Sequence, residues 1–211
     1  MIRRYYVPAI ALAIATTLLF AGCTEEGTTV TDIQQNPHEW VLEYSSYDDP
    51  AVIELVDSLG NGDDTLSTSE VYAMQRWVSS NIKYSLEDPT LPSETLQKGR
   101  GSCWSSTSLL YSMFLAESAS ADVYVLLIDV TSGGEAIKHC AVLTKFGNSI
   151  IISDPTIDSY AIDNVCTLAS PQNAVQLVLD NTNVDTYQVT TAVCTCCSQT
   201  FNSNEEFYVW V

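Results

Sequence analysis

The segment GSCWSSTSLLYSMFLA, residues 101–116, indicates how the chain folds. Four large apolar residues in it recur with the spacing of one helical face: Leu109, Leu110, Met113 and Phe114. This periodicity predicts a helix from about Cys103 to Ala116, buried along that stripe. Cys103 would then lie at the helix N-terminus. The positive end of a helix, or a nearby imidazolium, lowers the pKa of a thiol from about 8.5 to roughly 3.5–7.5.

Beyond this helix the pattern changes to that of strands. Val123–Ile128 is rich in β-forming residues, Gly133-Gly134 marks a turn, and His139–Phe146 alternates between apolar and other residues. Further along, the sequence predicts a turn at Gly147-Asn148, a strand at Ile150–Ile152, a helix capped by Ser170, and strands near Tyr187 and at Phe207–Val211. Helices followed by an antiparallel meander predict an α+β fold, with the helix of Cys103 packed on an antiparallel sheet.

A base and a carboxylate follow Cys103 in the order that a thiol nucleophile requires. The chain has 2 His. His38 lies in or beside a polar segment, in a stretch with no helical or strand period, which leaves His139 as the better base. If the turn at Gly147-Asn148 pairs the flanking strands, Asp154 lands near His139 and can orient its ring. Strand alternation places His139 on the helix side and Cys140 on the opposite side, where we expect a buried free thiol.

The residues before Cys103 predict two helices and a loop. Val52, Leu55, Val56 and Leu59 form one apolar stripe, which Asp49 can cap and Gly60 can end. A second stripe, Val71 to Ile82, follows the capping-box pair Ser67 and Glu70. The acidic run Gly60–Asp64 between them lacks the ligand spacing of a calcium loop and is interpreted as a turn. Residues 85–101 contain Pro and Gly and are predicted to be a loop.

Three short blocks resemble the transglutaminase-like family: Gly101-Ser102-Cys103-Trp104, Lys138-His139-Cys140-Ala141-Val142 and Ser153-Asp154-Pro155-Thr156. The lead-in, Ser93-Glu94-Thr95-Leu96 and Gly99-Arg100-Gly101, is similar to that of the family as well. The resemblance implies a papain-like cysteine proteinase fold, with Cys103 as nucleophile, His139 as general base and acid, and Asp154 as the carboxylate that orients His139. Directly after the His the family usually has Ala-Trp, where this chain has Cys140-Ala141, and its animal members have Gln in place of Ser102.

The papain-type signature also contains Gly-Ser-Cys-Trp, but the spacing differs. Papain-like enzymes place the His roughly 130–150 residues after the Cys, whereas His139 follows Cys103 by 36 residues. The resemblance implies a thiol enzyme that acts on amide bonds of a protein or peptide substrate through a thioester, as a peptidase or by transglutaminase-type acyl transfer. The alternative is a non-catalytic binding or structural lipoprotein that retains the fold. No cofactor is expected.

The N-terminus has the layout of an export signal: Arg3 and Arg4, an apolar stretch Val7–Phe20, and small residues before Cys23. As a helix the stretch would extend about 21 Å, which is short for a hydrocarbon core of about 30 Å. Ala21-Gly22-Cys23 resembles the end of a lipoprotein signal, in which the Cys receives a lipid. We therefore expect a signal peptide at 1–22, a lipidated polar tether at 23–37 and the domain at 38–211, outside the cytoplasm and lipid-anchored to the cell membrane.

The charge and the cysteine content limit which partners, disulfides and metals the chain can have. The chain has 26 acidic and 8 basic residues and a net charge of -18, which argues against a nucleic-acid partner. In an exported domain we expect disulfides among Cys166, Cys194, Cys196 and Cys197, with connectivity unknown. Zinc is the alternative for the last three, but no His lies near them in sequence and their spacing fits no common zinc ribbon, so no metal site is predicted.

Overall fold

The computed structural model describes residues 33, 35–60, 62–156, 167–182 and 184–211. Its helices are α1 Pro37–Tyr44, α2 Pro50–Leu59, α3 Thr68–Asn81, α4 Pro92–Lys98, α5 Cys103–Glu117, α6 Pro171–Asn181 and α7 Asn204–Trp210. Its strands are β1 Lys83–Tyr84, β2 Arg100–Gly101, β3 Val123–Ser132, β4 Glu135–Phe146, β5 Ser149–Ser153, β6 Thr186–Val193 and β7 Ser198–Thr200. Within these ranges, every helix is too short or too polar to cross a membrane.

The predicted helix starts are formed by the expected caps. Asp49 accepts a hydrogen bond from the backbone N–H of Ala51 at the start of α2, and Ser67 and Glu70 form a complete capping box at α3. Ser170 caps α6 in the same way. These caps satisfy backbone N–H groups that have no partner inside the helix. The predicted helices at these three places, and α5, are confirmed.

Five strands form one antiparallel sheet in the order β5-β4-β3-β6-β7. The turns at Gly133-Gly134 and at 147–148 join β3 to β4 and β4 to β5, as predicted. Two-residue strands β1 and β2 pair separately and in parallel, just before Cys103. The mixture of helices and antiparallel sheet confirms the predicted α+β class.

Helices cover both faces of the sheet. On one face, α5 is almost completely buried between the sheet and α1 to α4, and it packs against Val125 of β3 and Val142 of β4. On the other face, α6 and α7 cover Leu126 and Leu143. Because α5 lies in the centre of the larger core, its first residue is held against the sheet.

Three predictions about local structure are wrong. The segment beside His38 forms α1, which buries only Trp40 and Val41 and is too short to show a helical period. Part of the predicted loop at 85–101 forms α4. The predicted C-terminal strand is instead α7, because Ser203 caps it and buried Phe207 anchors it.

Candidate functional site

Cys103 is the first residue of α5, and its side chain is 7% exposed. Ser102 precedes it as N-cap and accepts a hydrogen bond from the backbone N–H of Ser105. A Cβ placed on Gly101 would lie 2.7 Å from the Cβ of Ser105, so only glycine allows β2 to approach α5 this closely. The turn therefore fixes the thiol at the positive end of the helix dipole.

His139 and Asp154 meet at the ends of β4 and β5. The register pairs Val142 with Ser153, the last pair of that ladder, so Asp154 continues beyond it toward His139. The Nε2 atom of His139 lies 2.5 Å from Oδ2 of Asp154. The carboxylate is fully buried and the imidazole is 14% exposed. The hairpin argument from the sequence correctly places these two side chains together.

Two further residues hold Asp154, and sequence reasoning did not identify them. Thr156 donates to Oδ1 of Asp154 from its backbone N–H and from its hydroxyl, at 3.1 and 3.0 Å. Gln75, a buried residue of α3, donates from Nε2 to the backbone carbonyl of Asp154 at 2.8 Å. The only sequence signal for Gln75 is a polar residue within the otherwise apolar stripe of α3. These bonds leave Oδ2 of Asp154 directed at the imidazole.

The side chains of Cys103, His139 and Cys140 are joined by hydrogen bonds. Cys103 is hydrogen-bonded to Cys140 and to His139. Because Nε2 of His139 is committed to Asp154, the other ring nitrogen, Nδ1, is the one available to the thiol. The structure therefore brings all three predicted residues, Cys103, His139 and Asp154, into one site.

The site favours a charged pair. The hydrogen bond from Cys140 lowers the pKa of Cys103, burial opposes this, and the imidazole of His139 lowers it further, to about 5. Burial disfavours protonated His139, but the charge and hydrogen bond of Asp154, together with Cys103, raise the pKa of His139 to about 10. Between these values Cys103 is a thiolate and His139 an imidazolium.

The predicted position of Cys140 is half right. Cys140 is a buried free thiol, as expected, but it does not face away from Cys103. It lies on the α5 side of β4 with Val142, and the hydroxyl of Thr107 donates to its carbonyl at 3.2 Å. Strand alternation was assigned correctly, but the sequence does not reveal which face α5 covers. Burial, followed by the hydrogen bond to Cys103, raises the pKa of Cys140 well above its usual value.

Two clefts include His139 in their lining. One cleft has a volume of about 140 Å³ and is lined by Trp104, Asp129 and Thr191 among others. The second, of about 220 Å³, is more apolar and includes Tyr84, Ile137 and Tyr187.

The cysteines near the C-terminus lie away from this site. The Sγ atoms of Cys194 and Cys196 are 2.8 Å apart, and those of Cys194 and Cys197 are 3.1 Å apart. All three are free thiols in this structure, and disulfide pairing among the four predicted cysteines stays a prediction. His38 lies beside this cluster, since its Nε2 is 3.2 Å from the carbonyl oxygen of Thr195. His38 is therefore close to these thiols in space, although it is far from them in the sequence.

Cys23 and Cys166 lie outside the described residues, as do the predicted signal peptide and most of the predicted tether. The lipid on Cys23, the proposed domain limits and any disulfide of Cys166 therefore stay predictions.

Comparisons with known proteins show similarity to solved structures. No protein-family model and no curated protein matches the chain. Among solved structures, the chain is similar to a Cytophaga hutchinsonii protein named "Putative Cysteine Protease", with 17% sequence identity and a TM-score of 0.45. The match covers 77% of this chain and 50% of the other. The chain thus spans about half the length of that protein.

Proposed function

We propose that the chain is a thiol enzyme of transglutaminase-like fold that acts on amide bonds of proteins or peptides through a thioester. The observation that carries the proposal is the arrangement at the N-terminus of α5. There Cys103 is hydrogen-bonded to His139, whose Nε2 lies 2.5 Å from Oδ2 of Asp154. A nucleophile, a base and a group that orients the base are the parts that acyl transfer requires. The resemblance of the three sequence blocks to the transglutaminase-like family supports the same proposal.

The proposed first step is attack by the Cys103 thiolate on the carbonyl carbon of the substrate. The carbonyl electron pair moves onto oxygen, and the backbone N–H of Cys103, which has no partner inside the helix, is placed to stabilise the oxyanion. When the tetrahedral intermediate collapses, the C–N bond breaks and the imidazolium of His139 protonates the departing amine. The product is a thioester on Cys103.

The second step releases the acyl group. Neutral His139 takes a proton from the incoming nucleophile, which attacks the thioester and expels the Cys103 thiolate. Water as nucleophile gives hydrolysis, and a primary amine gives transfer. Asp154 keeps the Nε2–H tautomer and stabilises the imidazolium in both steps.

The proposed location is outside the cytoplasm, with a lipid on Cys23 holding the domain at the cell membrane. The export-signal layout of residues 1–22 and the polar segment after Cys23 support this. The acidic composition, 26 acidic against 8 basic residues, suits a protein or peptide substrate better than a polyanion.

The proposal is tested by alkylation with iodoacetamide at about pH 5.5, which needs no knowledge of the substrate. A thiol of pKa about 5 is about three-quarters ionised there, against about one part in a thousand for an ordinary thiol. Allowing for the lower nucleophilicity of a weakly basic thiolate, Cys103 should react about 20-fold faster than an ordinary thiol. Peptide mass spectrometry measures the rate at each cysteine.

Two histidine variants provide the control. His139→Ala should remove most of the excess reactivity, because the imidazolium that stabilises the thiolate is lost while the hydrogen bond from Cys140 remains. His38→Ala removes the chain's other histidine, which lies beside Thr195, and should leave the reactivity unchanged. Equal rates for Cys103 in wild type and His139→Ala would rule out the proposed thiolate–imidazolium pair.

A further inference from the structure

Three carboxylates meet where α5 ends against the loop between α2 and α3. Asp63 lies in this loop, Glu70 in the first turn of α3, and Glu117 at the last residue of α5. One oxygen from each lies within 4.8 Å of the others. Asp63 is exposed, whereas Glu70 and Glu117 are only 5% and 6% exposed. The two buried acids, Glu70 and Glu117, thus lie close to each other and to Asp63.

Glu117 is the member of the group whose buried carboxylate lacks a compensating partner at one oxygen. Its Oε1 atom is buried and has no hydrogen-bond partner. Burial raises the pKa of Glu117, and the charge of Glu70 raises it further, followed by that of Asp63. A buried carboxylate without a partner is unfavourable unless a cation or a hydrogen-bond donor compensates it.

The loop itself has most of the ligand positions of a 12-residue calcium loop. In such loops the ligands occupy positions 1, 3, 5, 7, 9 and 12, with a bidentate Glu at position 12. With Glu70 at position 12, Asp63 takes position 5, the carbonyl of Thr65 position 7 and Ser67 position 9. Position 1 falls on Leu59, which has no side-chain oxygen. Because this ligand is missing, the sequence alone led to the interpretation of the acidic run as a turn.

Glu117 approaches the loop at the end where the ligand is missing. A Cβ placed on Gly60, the residue after Leu59, would lie 2.3 Å from Oε2 of Glu117. The glycine therefore makes room for a carboxylate from α5 beside position 1. Asp64 occupies position 6, where calcium loops carry glycine, and has the left-handed conformation with φ 58°.

We propose that this group binds one Ca²⁺, with Glu117 supplying the carboxylate that the loop lacks. Glu70 is already oriented, because its Oε2 accepts hydrogen bonds from the backbone N–H and the hydroxyl of Ser67, at 2.8 and 2.6 Å. Hard oxygen ligands from a loop suit Ca²⁺ better than Mg²⁺, which demands a near-ideal octahedron. The expected affinity is that of extracellular calcium modules, with Kd of about 10⁻⁴–10⁻³ M.

The site would tie α5 to the α2–α3 pair without taking part in catalysis. Glu117 and Cys103 are the two ends of the 15-residue helix α5, about 21 Å apart at roughly 1.5 Å per residue. Bound calcium should therefore stabilise the helix that carries the thiol, and leave the pKa of Cys103 unchanged.

The test uses the full chain in detergent and follows its thermal unfolding in EDTA and in CaCl₂. At a calcium concentration about ten times Kd, we expect the midpoint to rise by about 3–6 °C. Isothermal titration should give one Ca²⁺ per chain. No midpoint shift and no binding heat at about 5 mM calcium, or an equal shift with MgCl₂ at the same concentration, would overturn the proposal.

Three acid-to-amide variants separate a calcium site from a general charge effect. Glu117→Gln should raise the midpoint in EDTA, because it removes a buried charge, and should abolish the calcium shift. Asp63→Asn changes an exposed ligand, so it should fold normally and weaken binding. Asp185→Asn makes the same chemical change at an exposed acid elsewhere and should keep the full shift. A full calcium shift in Glu117→Gln would contradict the proposed ligand set. These outcomes do not depend on whether Cys103 is catalytic.

Discussion

Replacing Cys140 by alanine should make Cys103 harder to ionise. The hydrogen bond from Cys140 is the largest of the influences that bring the pKa of Cys103 to about 5. Hydrogen bonds to charged groups contribute about 1.5–3 kcal/mol, and a thiol is a weak donor, so the lower end applies. At about 1.36 kcal/mol per pKa unit, Cys140→Ala should raise the pKa of Cys103 by about one unit.

The assay is the pH dependence of Cys103 alkylation, measured by peptide mass spectrometry. The midpoint of the profile is the informative quantity, because a thiolate of higher pKa is also intrinsically more nucleophilic and the rate at one pH can change little. The midpoint should move from about 5 to about 6 in Cys140→Ala.

Cys140→Ser is the matched control, since it keeps a donor of similar size at the same position. It should hold the midpoint close to that of the wild type. An unchanged midpoint in Cys140→Ala, or the same displacement in both variants, would refute the idea that a hydrogen bond from residue 140 stabilises the thiolate.

Three other perturbations test the rest of the site. In Asp154→Asn the pKa of His139 should fall from about 10 toward or below its ordinary 6.5, because burial then acts without the opposing carboxylate. NMR of the ring protons measures this pKa, and an unchanged value would contradict the role of Asp154 as the partner of His139. The raised pKa means that protonated His139 contributes stability that is fully present below about pH 6.5 and is lost as pH rises through about 10. Urea unfolding of wild type and His139→Gln should thus show a difference that shrinks over this range, and a constant difference would count against it. Gln75→Leu removes the 2.8 Å hydrogen bond to the carbonyl of Asp154 and should lower the free energy of unfolding, measured in urea, by about 1–3 kcal/mol. An unchanged free energy of unfolding would show that Gln75 does not support Asp154.

Much of the fold could be predicted because its signals are local. The caps Asp49, Ser67 and Ser170 and the apolar stripes behind them define three helices within a few residues. The glycines at the two turns of the meander set the hairpins, and with them the pairing of His139 and Asp154.

The missed elements are those whose stability comes from distant contacts. Helix α1 has only Trp40 and Val41 buried, and Trp40 packs edge-on against Trp104 of α5. Helix α4 has a start signal in Pro92 and an end signal in Gly99 with φ 61°, but those residues also typify loops. Aromatic residues near the C-terminus favour a strand locally, whereas packing of Phe207 against Phe201 selects a helix.

The parts of the site that sequence did not reveal depend on which face of the sheet is covered. Strand alternation shows which residues of β4 share a face, but it does not show which face packs against α5. The sequence prediction therefore placed Cys140 on the side of β4 away from α5, which is wrong. The same limit applies to Glu117, because nothing near residue 117 in the sequence indicates that it reaches the loop beside Gly60. His38 and Cys194 are likewise brought into one neighbourhood only by the fold.

The most direct test of the central claim is the ionisation of one sulfur. Ultraviolet thiolate absorbance of wild type minus that of Cys103→Ser, followed from acid to mildly alkaline pH, isolates this group from the other cysteines. A pKa near 5, as the site implies, would give a difference signal that is complete by neutral pH. A signal that appears only near about pH 8.5, as for an ordinary thiol, would contradict the account.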